Sequence, residues 1–165
     1  MNVLSVNGKI DKAKLAKELL IPVVGGMVTG MIATRRAKEK YSKLEKPNNA
    51  PPSWVFPVMW TGLYAAMGLA NYRVSMKKKP TATAETLYDI QLGLNFLWSF
   101  LFFKWNLRGT ALAEIGLLLG MITLTTYQYY QKDRIAGRLM LPYIAWVAYA
   151  LQLNYSMWDL NKDKM

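Results

Sequence analysis

Apolar and charged residues are segregated along this chain. Pro47 to Tyr72 and Leu139 to Trp158 carry no charge, and Leu19 to Thr34 and Ile90 to Phe103 are shorter charge-free runs. The two long runs reach the ~20 residues that cross a bilayer as helix. With the apolar stretch after Thr110, the pattern predicts five helical spans, at about 17–35, 54–74, 83–104, 110–131 and 139–158. The first is short, but Lys17 and Glu18 can reach an interface by snorkelling. No period-two alternation lasts beyond a few residues, which argues against a barrel, and no repeat of fixed period is visible. The expected fold class is an all-α integral membrane protein, multi-pass, with one five-transmembrane-helix bundle as its single domain over residues 1–165.

The connections support that division. Lys9, Lys12, Lys14 and Lys17 precede the first span, but Arg35 and Arg36 follow it where a signal peptide would show small residues, so a retained helix is expected. The polar segment from Arg35 to Ser53 is long for a helix–helix connection. Its Asn48-Asn49-Ala50-Pro51-Pro52 stretch is stiff and non-helical, since proline lacks an N–H and restricts its predecessor. It reads equally as a lid or as a surface connection. Lys77-Lys78-Lys79-Pro80 stops the second span. Glu85, Asp89 and Glu114 fall in first turns, where carboxylates suit the helix dipole. Five spans put the termini on opposite sides, and Lys and Arg divide 11 to 10 between those sides, so charge leaves the orientation open.

Composition removes most enzyme classes. The chain is 53% apolar and 19% charged, against ~25% charged for a soluble domain. It has no Cys and no His, hence no disulfide, thiol nucleophile or zinc thiolate site, and it lacks the commonest general base and haem ligand. No metal site, required cofactor or conventional catalytic site is expected. The net charge of +11 lies between the apolar runs, which fits loops facing anionic lipid rather than nucleic acid.

The six Trp residues divide into two sets. Trp54, Trp105 and Trp158 lie at span ends, as interfacial residues do. Trp60 and Trp98 lie about 9 Å inside their spans at 1.5 Å per residue, and Trp146 lies near mid-depth. Each deep Trp heads or joins a helical face: Trp60, Tyr64, Met67, Asn71; Gln91, Asn95, Trp98, Phe102; and Trp146, Ala150, Leu153, Met157. Such faces turn inward, because lipid offers amides no hydrogen bonds. They are either packing seams with Gln91 and Asn95 as interhelical glue, or the walls of a pocket for a large, flat, apolar ligand. Gly26/Gly30 and Gly116/Gly120 are small-xxx-small pairs that permit close helix contact within or between chains.

The residues also resemble a known family. Tyr41-x-x-Leu44-x-Lys46-Pro47-x-x-x-Pro51-Pro52-x-Trp54-x-Phe56-Pro57-x-x-Trp60-x-x-Leu63-Tyr64-x-x-Met67-Gly68 is similar to the first loop and second helix of the translocator proteins, also called tryptophan-rich sensory proteins (TspO/MBR). Pro22-x-x-Gly25-Gly26, Gln91-x-x-x-Asn95-x-x-Trp98 with Phe102-Phe103, Ala111-x-Ala113-Glu114, and Leu141-Pro142-Tyr143-x-Ala145-Trp146-x-x-x-Ala150-x-x-Leu153-Asn154 resemble the first, third, fourth and fifth helices. The resemblance covers roughly 21–158, with the motifs in order. It implies a five-helix membrane protein, often a homodimer, that binds porphyrins such as protoporphyrin IX and drug-like hydrophobic ligands under its first loop. By position it implies ligand contacts from Ala33, Phe56, Pro57, Trp60, Trp98, Ala113, Trp146, Ala150 and Leu153. Tyr64 and Asn95 join them from the faces above. Some members are reported to degrade porphyrin in light, and Trp60 and Trp146 are the candidate catalytic residues for such photo-oxidation, since indole is easily oxidised.

Three positions depart from the family pattern. Asn49 and Thr110 stand where many members have Trp. Leu153-x-Tyr155 begins a sterol pattern, but Asp159 occupies the place of a basic residue and Lys162 comes too late, so weak or no cholesterol binding is expected. The function expected is sensing, handling or light-dependent degradation of a porphyrin; the alternative is a transporter of porphyrin or another hydrophobic ligand, which the absence of repeats disfavours. A bacterial cell envelope is the expected location.

Overall fold

The structure, a computed structural model, describes residues 3–77 and 82–164, the side chains of Lys38 and Lys164 excepted. The Lys78-Lys79-Pro80 stop expected after the second span lies outside them. The described residues form six α-helices: α1 Lys12–Thr34, α2 Lys38–Ser42, α3 Val55–Ser75, α4 Ala82–Ser99, α5 Arg108–Lys132 and α6 Arg134–Asn161. A π-helical segment, Phe100–Lys104, continues α4, and a 3₁₀ turn, Lys162–Lys164, follows α6. Each predicted span falls on one of the long helices. The polar connection after Arg35 contains the five-residue α2, and its 48–52 stretch lies outside any helix, as expected.

Local chemistry places the helix ends. The Asp11 carboxylate accepts from the Lys14 N–H at 3.0 Å and caps α1, while Asp133 accepts from the Ala136 N–H at 2.9 Å and caps α6. Both caps lie outside the charge-free runs, so α1 and α6 begin five residues earlier than the sequence pattern placed them. After the π segment, Asn106 takes φ 57°, a left-handed conformation that Asn tolerates, and turns the chain into α5.

The five long helices form a closed ring in the order α1, α3, α6, α5, α4, with α4 returning to α1. Alternate helices reverse direction, so α1 ends, α3 begins, α4 ends, α5 begins and α6 ends at one end of the bundle, called here the loop end. Trp54, Trp105 and Trp158 all sit at that end, rather than at both. The ring interior holds Tyr64, Met67, Tyr88, Leu118, Ile122, Tyr129, Met140, Tyr143 and Val147. Gly68 permits the closest approach: a Cβ there would lie 2.4 Å from the Glu18 carbonyl oxygen, so α1 and α3 meet backbone to backbone.

Among the described residues, two helices, Lys12–Thr34 and Arg108–Lys132, are long and apolar enough to cross a membrane. The other three long helices carry Trp, Tyr, Asn and Gln on their inward faces, which lowers their hydropathy. At the end opposite the loop, Arg73 donates to both Asp133 oxygens at 3.1 and 3.0 Å, and Lys77 adds a third contact at 2.9 Å. Arg73 also donates to the Val3 and Ser5 carbonyls, which ties the N-terminal segment to α3.

Candidate functional site

A cavity of about 600 Å³ lies between α1 and α3 near the loop end, within the ~300–1,000 Å³ typical of small-ligand sites. The α3 wall is Phe56, Pro57, Trp60, Thr61 and Tyr64; α4 and its π extension supply Trp98, Ser99 and Phe103. The α1 wall is Gly26, Met27, Gly30, Met31 and Thr34, and Ala37, Tyr41 and Ser53 close the loop end. Met27 and Met31 are 57% and 67% exposed, so the cavity opens sideways between α1 and α3. Methionines at a mouth adapt to many apolar shapes.

The aromatic wall is held from behind. Trp60 stacks on Tyr64 at 5.5 Å and meets Tyr143 edge-on at 6.2 Å. The Tyr64 hydroxyl donates to Asn95 Oδ1 at 2.6 Å, Asn95 Nδ2 donates to the Tyr143 hydroxyl at 2.9 Å, and that hydroxyl donates to Gln91 Oε1 at 2.8 Å. This chain joins α3, α4 and α6 and fixes the Tyr64 ring. Gly26 completes the fit, since a Cβ there would come within 2.1 Å of that ring. Trp98 stacks on Phe102 at 5.1 Å, and its indole N–H donates to Asn154 Oδ1 at 3.0 Å. The long loop is strapped across α6. The Tyr149 hydroxyl donates to the Asn49 carbonyl at 2.6 Å, and Asn161 and Glu45 exchange side-chain and backbone bonds at 3.0 Å.

The sequence-derived site residues divide in this geometry. Phe56, Pro57, Trp60, Tyr64 and Trp98 come together in the cavity wall. Asn95 lies one bond behind it. Trp146 is outside the wall but touches Phe56, ring centroids 6.0 Å apart. Leu153 packs in a cluster with Phe56 and Trp98, and Ala150 is buried among the ring residues of α6. Ala33 is buried on the other side of α1, against a second hollow. Ala113 is exposed on the outer face of α5, apart from the cavity. The α1 wall and Phe103 escaped sequence reasoning as site residues. Their one signal was the Gly26/Gly30 spacing, read there as helix packing.

The two deep indoles outside and inside this hydrogen-bond network differ in energy. The Trp146 indole N–H is buried without a hydrogen-bond partner, whereas that of Trp98 is satisfied. Trp98→Phe should therefore cost about 1–3 kcal/mol, because it leaves Asn154 short of a donor. Trp146→Phe should change stability by less than about 1 kcal/mol, since the ring remains and a desolvated, unpaired N–H goes. Thermal unfolding in one detergent checks the order; equal losses would show that the N–H pairing does not matter.

The five long helices thus form a ring with an aromatic cavity that opens sideways between α1 and α3. The chain belongs to the TspO/MBR family, whose profile matches residues 19–159. It is 34% identical over 149 residues to the translocator protein of Sus scrofa, covering 88% of each chain. Against the tryptophan-rich sensory protein of Cereibacter sphaeroides it is 37% identical over 132 residues, covering 80% of this chain and 83% of the relative. The tryptophan-rich protein TspO of Chlorobaculum tepidum matches at 34% over 139 residues, 82% of this chain and 88% of its own.

Proposed function

We propose that this protein crosses the membrane five times, through α1, α3, α4 with its π extension, α5 and α6, and binds a porphyrin or similar tetrapyrrole between α1 and α3. The observation that carries the reading is the wall itself. Phe56, Trp60, Tyr64, Trp98 and Phe103 present aromatic surface to one cavity of about 600 Å³. A flat apolar macrocycle stacks on such rings, each contact contributing ~0.5–1.5 kcal/mol beyond the area buried. The sideways mouth at Met27 and Met31 suits a ligand that arrives from the bilayer.

The role we assign is sensing or handling of that ligand. Light-dependent degradation is the chemical branch the wall permits without His or Cys: an excited porphyrin takes an electron from the Trp60 indole, dioxygen adds across a methine C=C of the reduced macrocycle, and the electron returns to the indole radical, so that the C=C is cleaved to two carbonyls holding both oxygen atoms and Trp60 is regenerated. Trp146, behind Phe56, is the reserve donor. We place the protein in a bacterial cell envelope, on the reading of its sequence, and assign it weak sterol binding, because Asp159 stands in the sterol pattern's basic position and pairs with Lys162 at 2.7 Å.

The experiment is a titration of the purified protein with protoporphyrin IX, followed by Trp emission. Saturable quenching at one ligand per chain is expected, weakened by Trp60→Ala. Quenching that never saturates, or that survives this substitution unchanged, removes the proposal.

A further inference from the structure

A hollow of about 930 Å³ lies at the loop end, between the end of α1 and the π extension of α4. Ala37 and Phe103 wall it off from the aromatic cavity, so it is a separate feature. Arg35, Arg36, Lys40 and Lys104 line it, and among the described residues no Asp or Glu does. Its apolar wall is Ile32, Phe103 and Trp105.

These four cations form no ion pair among the described residues, although other cations at the loop end do. Lys43 is held by Glu39 at 2.8 Å and Lys162 by Asp159 at 2.7 Å. Lys104 lies over the Phe100 ring, 5.4 Å from its centre. The carbonyl ends of α1 and of the α4 extension point here, and each contributes roughly half a negative charge. Against four full cations that leaves about three uncompensated. Cations converging on one hollow repel one another, and an anion between them removes that repulsion.

The apolar side continues away from the charges. Ile32 is 50% exposed, and Val28, one turn deeper on the same face of α1, is 45% exposed. Gly25 lies on that face too, and there α1 meets α4: a Cβ would come within 2.9 Å of the Phe96 ring. The seam is thus closed at Gly25 and open at Ile32, about 10 Å nearer the loop end at 1.5 Å per residue. Trp105, 51% exposed at the end of its span, marks the depth of a bilayer interface.

We propose that this hollow is a headgroup site for an anionic glycerophospholipid of the leaflet at the loop end. Its phosphate lies among Arg35, Arg36, Lys40 and Lys104, and the top of one acyl chain lies on Ile32 and Val28. The proposal rests on the membrane-spanning reading and is independent of what fills the aromatic cavity. Guanidinium forks hold phosphate oxygens in pairs. Basic residues beside an interfacial Trp set that phosphate where headgroups lie. A soluble phosphate would leave Ile32 and Val28 uncovered, whereas a phospholipid covers both parts. A zwitterionic headgroup brings a cation of its own into the cluster, so phosphatidylglycerol is held better than phosphatidylcholine.

The test uses Trp105 as a local probe. The full chain is placed in phosphatidylcholine nanodiscs that contain bromine-labelled phosphatidylglycerol or bromine-labelled phosphatidylcholine at rising mole fraction. Bromine quenches an indole that it touches, and the Trp105 signal is the difference between wild type and Trp105→Phe. Wild type should reach half-quenching at an about fivefold lower mole fraction of labelled phosphatidylglycerol than of labelled phosphatidylcholine, and added salt should narrow the gap. The triple substitution Arg35→Gln, Arg36→Gln, Lys40→Gln should close the gap and leave quenching by phosphatidylcholine within about twofold, which shows the chain inserted and folded. Arg35→Lys with Arg36→Lys should keep part of it. Lys43→Gln, Lys46→Gln, Lys162→Gln removes as much charge from the same end and should leave the gap in place. Where the first triple variant fails to insert, Arg36→Gln alone should halve the gap, and an unchanged gap overturns the site. Equal half-quenching of wild type by the two lipids overturns the site and leaves the membrane-spanning reading standing. Loss of the gap in both triple variants means attraction by net charge, and displacement of labelled phosphatidylglycerol by inorganic phosphate means a site for the bare anion; either result overturns the proposal. No quenching by either lipid means that the chain does not enter the bilayer, and overturns the membrane-spanning reading and the site with it.

Discussion

Trp60→Ala should weaken binding of protoporphyrin IX about 30-fold, the largest loss from any single aromatic in the cavity. Trp60 lies in the wall, stacked on Tyr64 and braced by Tyr143. Removing the indole takes away one stacking contact, ~1 kcal/mol, and roughly 40 Å² of apolar contact at ~25 cal/mol per Å², another ~1 kcal/mol. The sum of about 2 kcal/mol is about 30-fold in affinity. Trp60→Phe keeps a ring in place and should lose under about fivefold, while slowing any light-driven loss of porphyrin, because phenylalanine is a poor electron donor. Trp54, 68% exposed at the start of α3, should tolerate either change without effect on binding. Titration by emission of the remaining tryptophans reads the first result, and bleaching of the porphyrin band under fixed illumination reads the second. Loss at Trp54 equal to that at Trp60 would mean that quenching reports membrane partition rather than the cavity.

The α3 and α4 walls were legible in the sequence for a physical reason. Amide side chains on an apolar helix find no hydrogen-bond partner in lipid, so Asn95 and Asn71 mark inward faces, and helical spacing places Trp98 on the first and Trp60 and Tyr64 on the second. What spacing cannot give is the neighbour on another helix. Trp60 and Trp146 both lie too deep in their spans for an interface, yet Trp60 is in the wall and Trp146 stands against Phe56. The alternatives for the amides, glue or wall, also resolve by contact: Gln91 and Asn95 bond to tyrosines that support the wall.

The α1 wall was illegible because its chemistry is bland. Gly26, Gly30 and Thr34 share a face at a spacing of four, but glycines at that spacing serve packing as often as they leave room. Here the two do different work. Gly26 makes space for the Tyr64 ring, and Gly30 has no neighbour within 4 Å of its Cβ position. Gly116 and Gly120 likewise meet nothing, so that pair joins no helices within the ring. Helix ends were misplaced for a related reason. Charge-free runs mark what can lie in lipid, while Asp11 and Asp133, which start α1 and α6, sit in polar sequence beyond it.

Asp133→Ala should cost about 3–5 kcal/mol of stability, more than any substitution in the cavity. The side chain is 3% exposed and accepts from Arg73 twice, from Lys77 and from the Ala136 N–H. Its loss uncaps α6 and strands Arg73, 5% exposed, as a buried charge without its counter-ion. At ~2–4 °C per kcal/mol for a chain of this size, the unfolding midpoint should fall by about 10 °C or more. Asp133→Asn keeps an acceptor at the cap and should lose less. Glu39→Ala, which breaks an exposed pair with Lys43, should stay within ~1 kcal/mol. Burial alone pushes the Asp133 carboxyl up, but the hydrogen bonds from Arg73, Lys77 and Ala136 and the Arg73 charge outweigh it and hold the group well below the usual carboxylate range. A depressed carboxylate stabilises the fold fully above its unfolded pKa, ~3.9, and that contribution fades as pH falls from there toward the folded value. The midpoint difference between wild type and Asp133→Asn should accordingly be constant from about pH 8 to pH 5 and shrink below about pH 4. A difference that grows on acidification would mean that the carboxyl is protonated in the folded protein at neutral pH, and that Arg73 is held by the Val3 and Ser5 carbonyls instead.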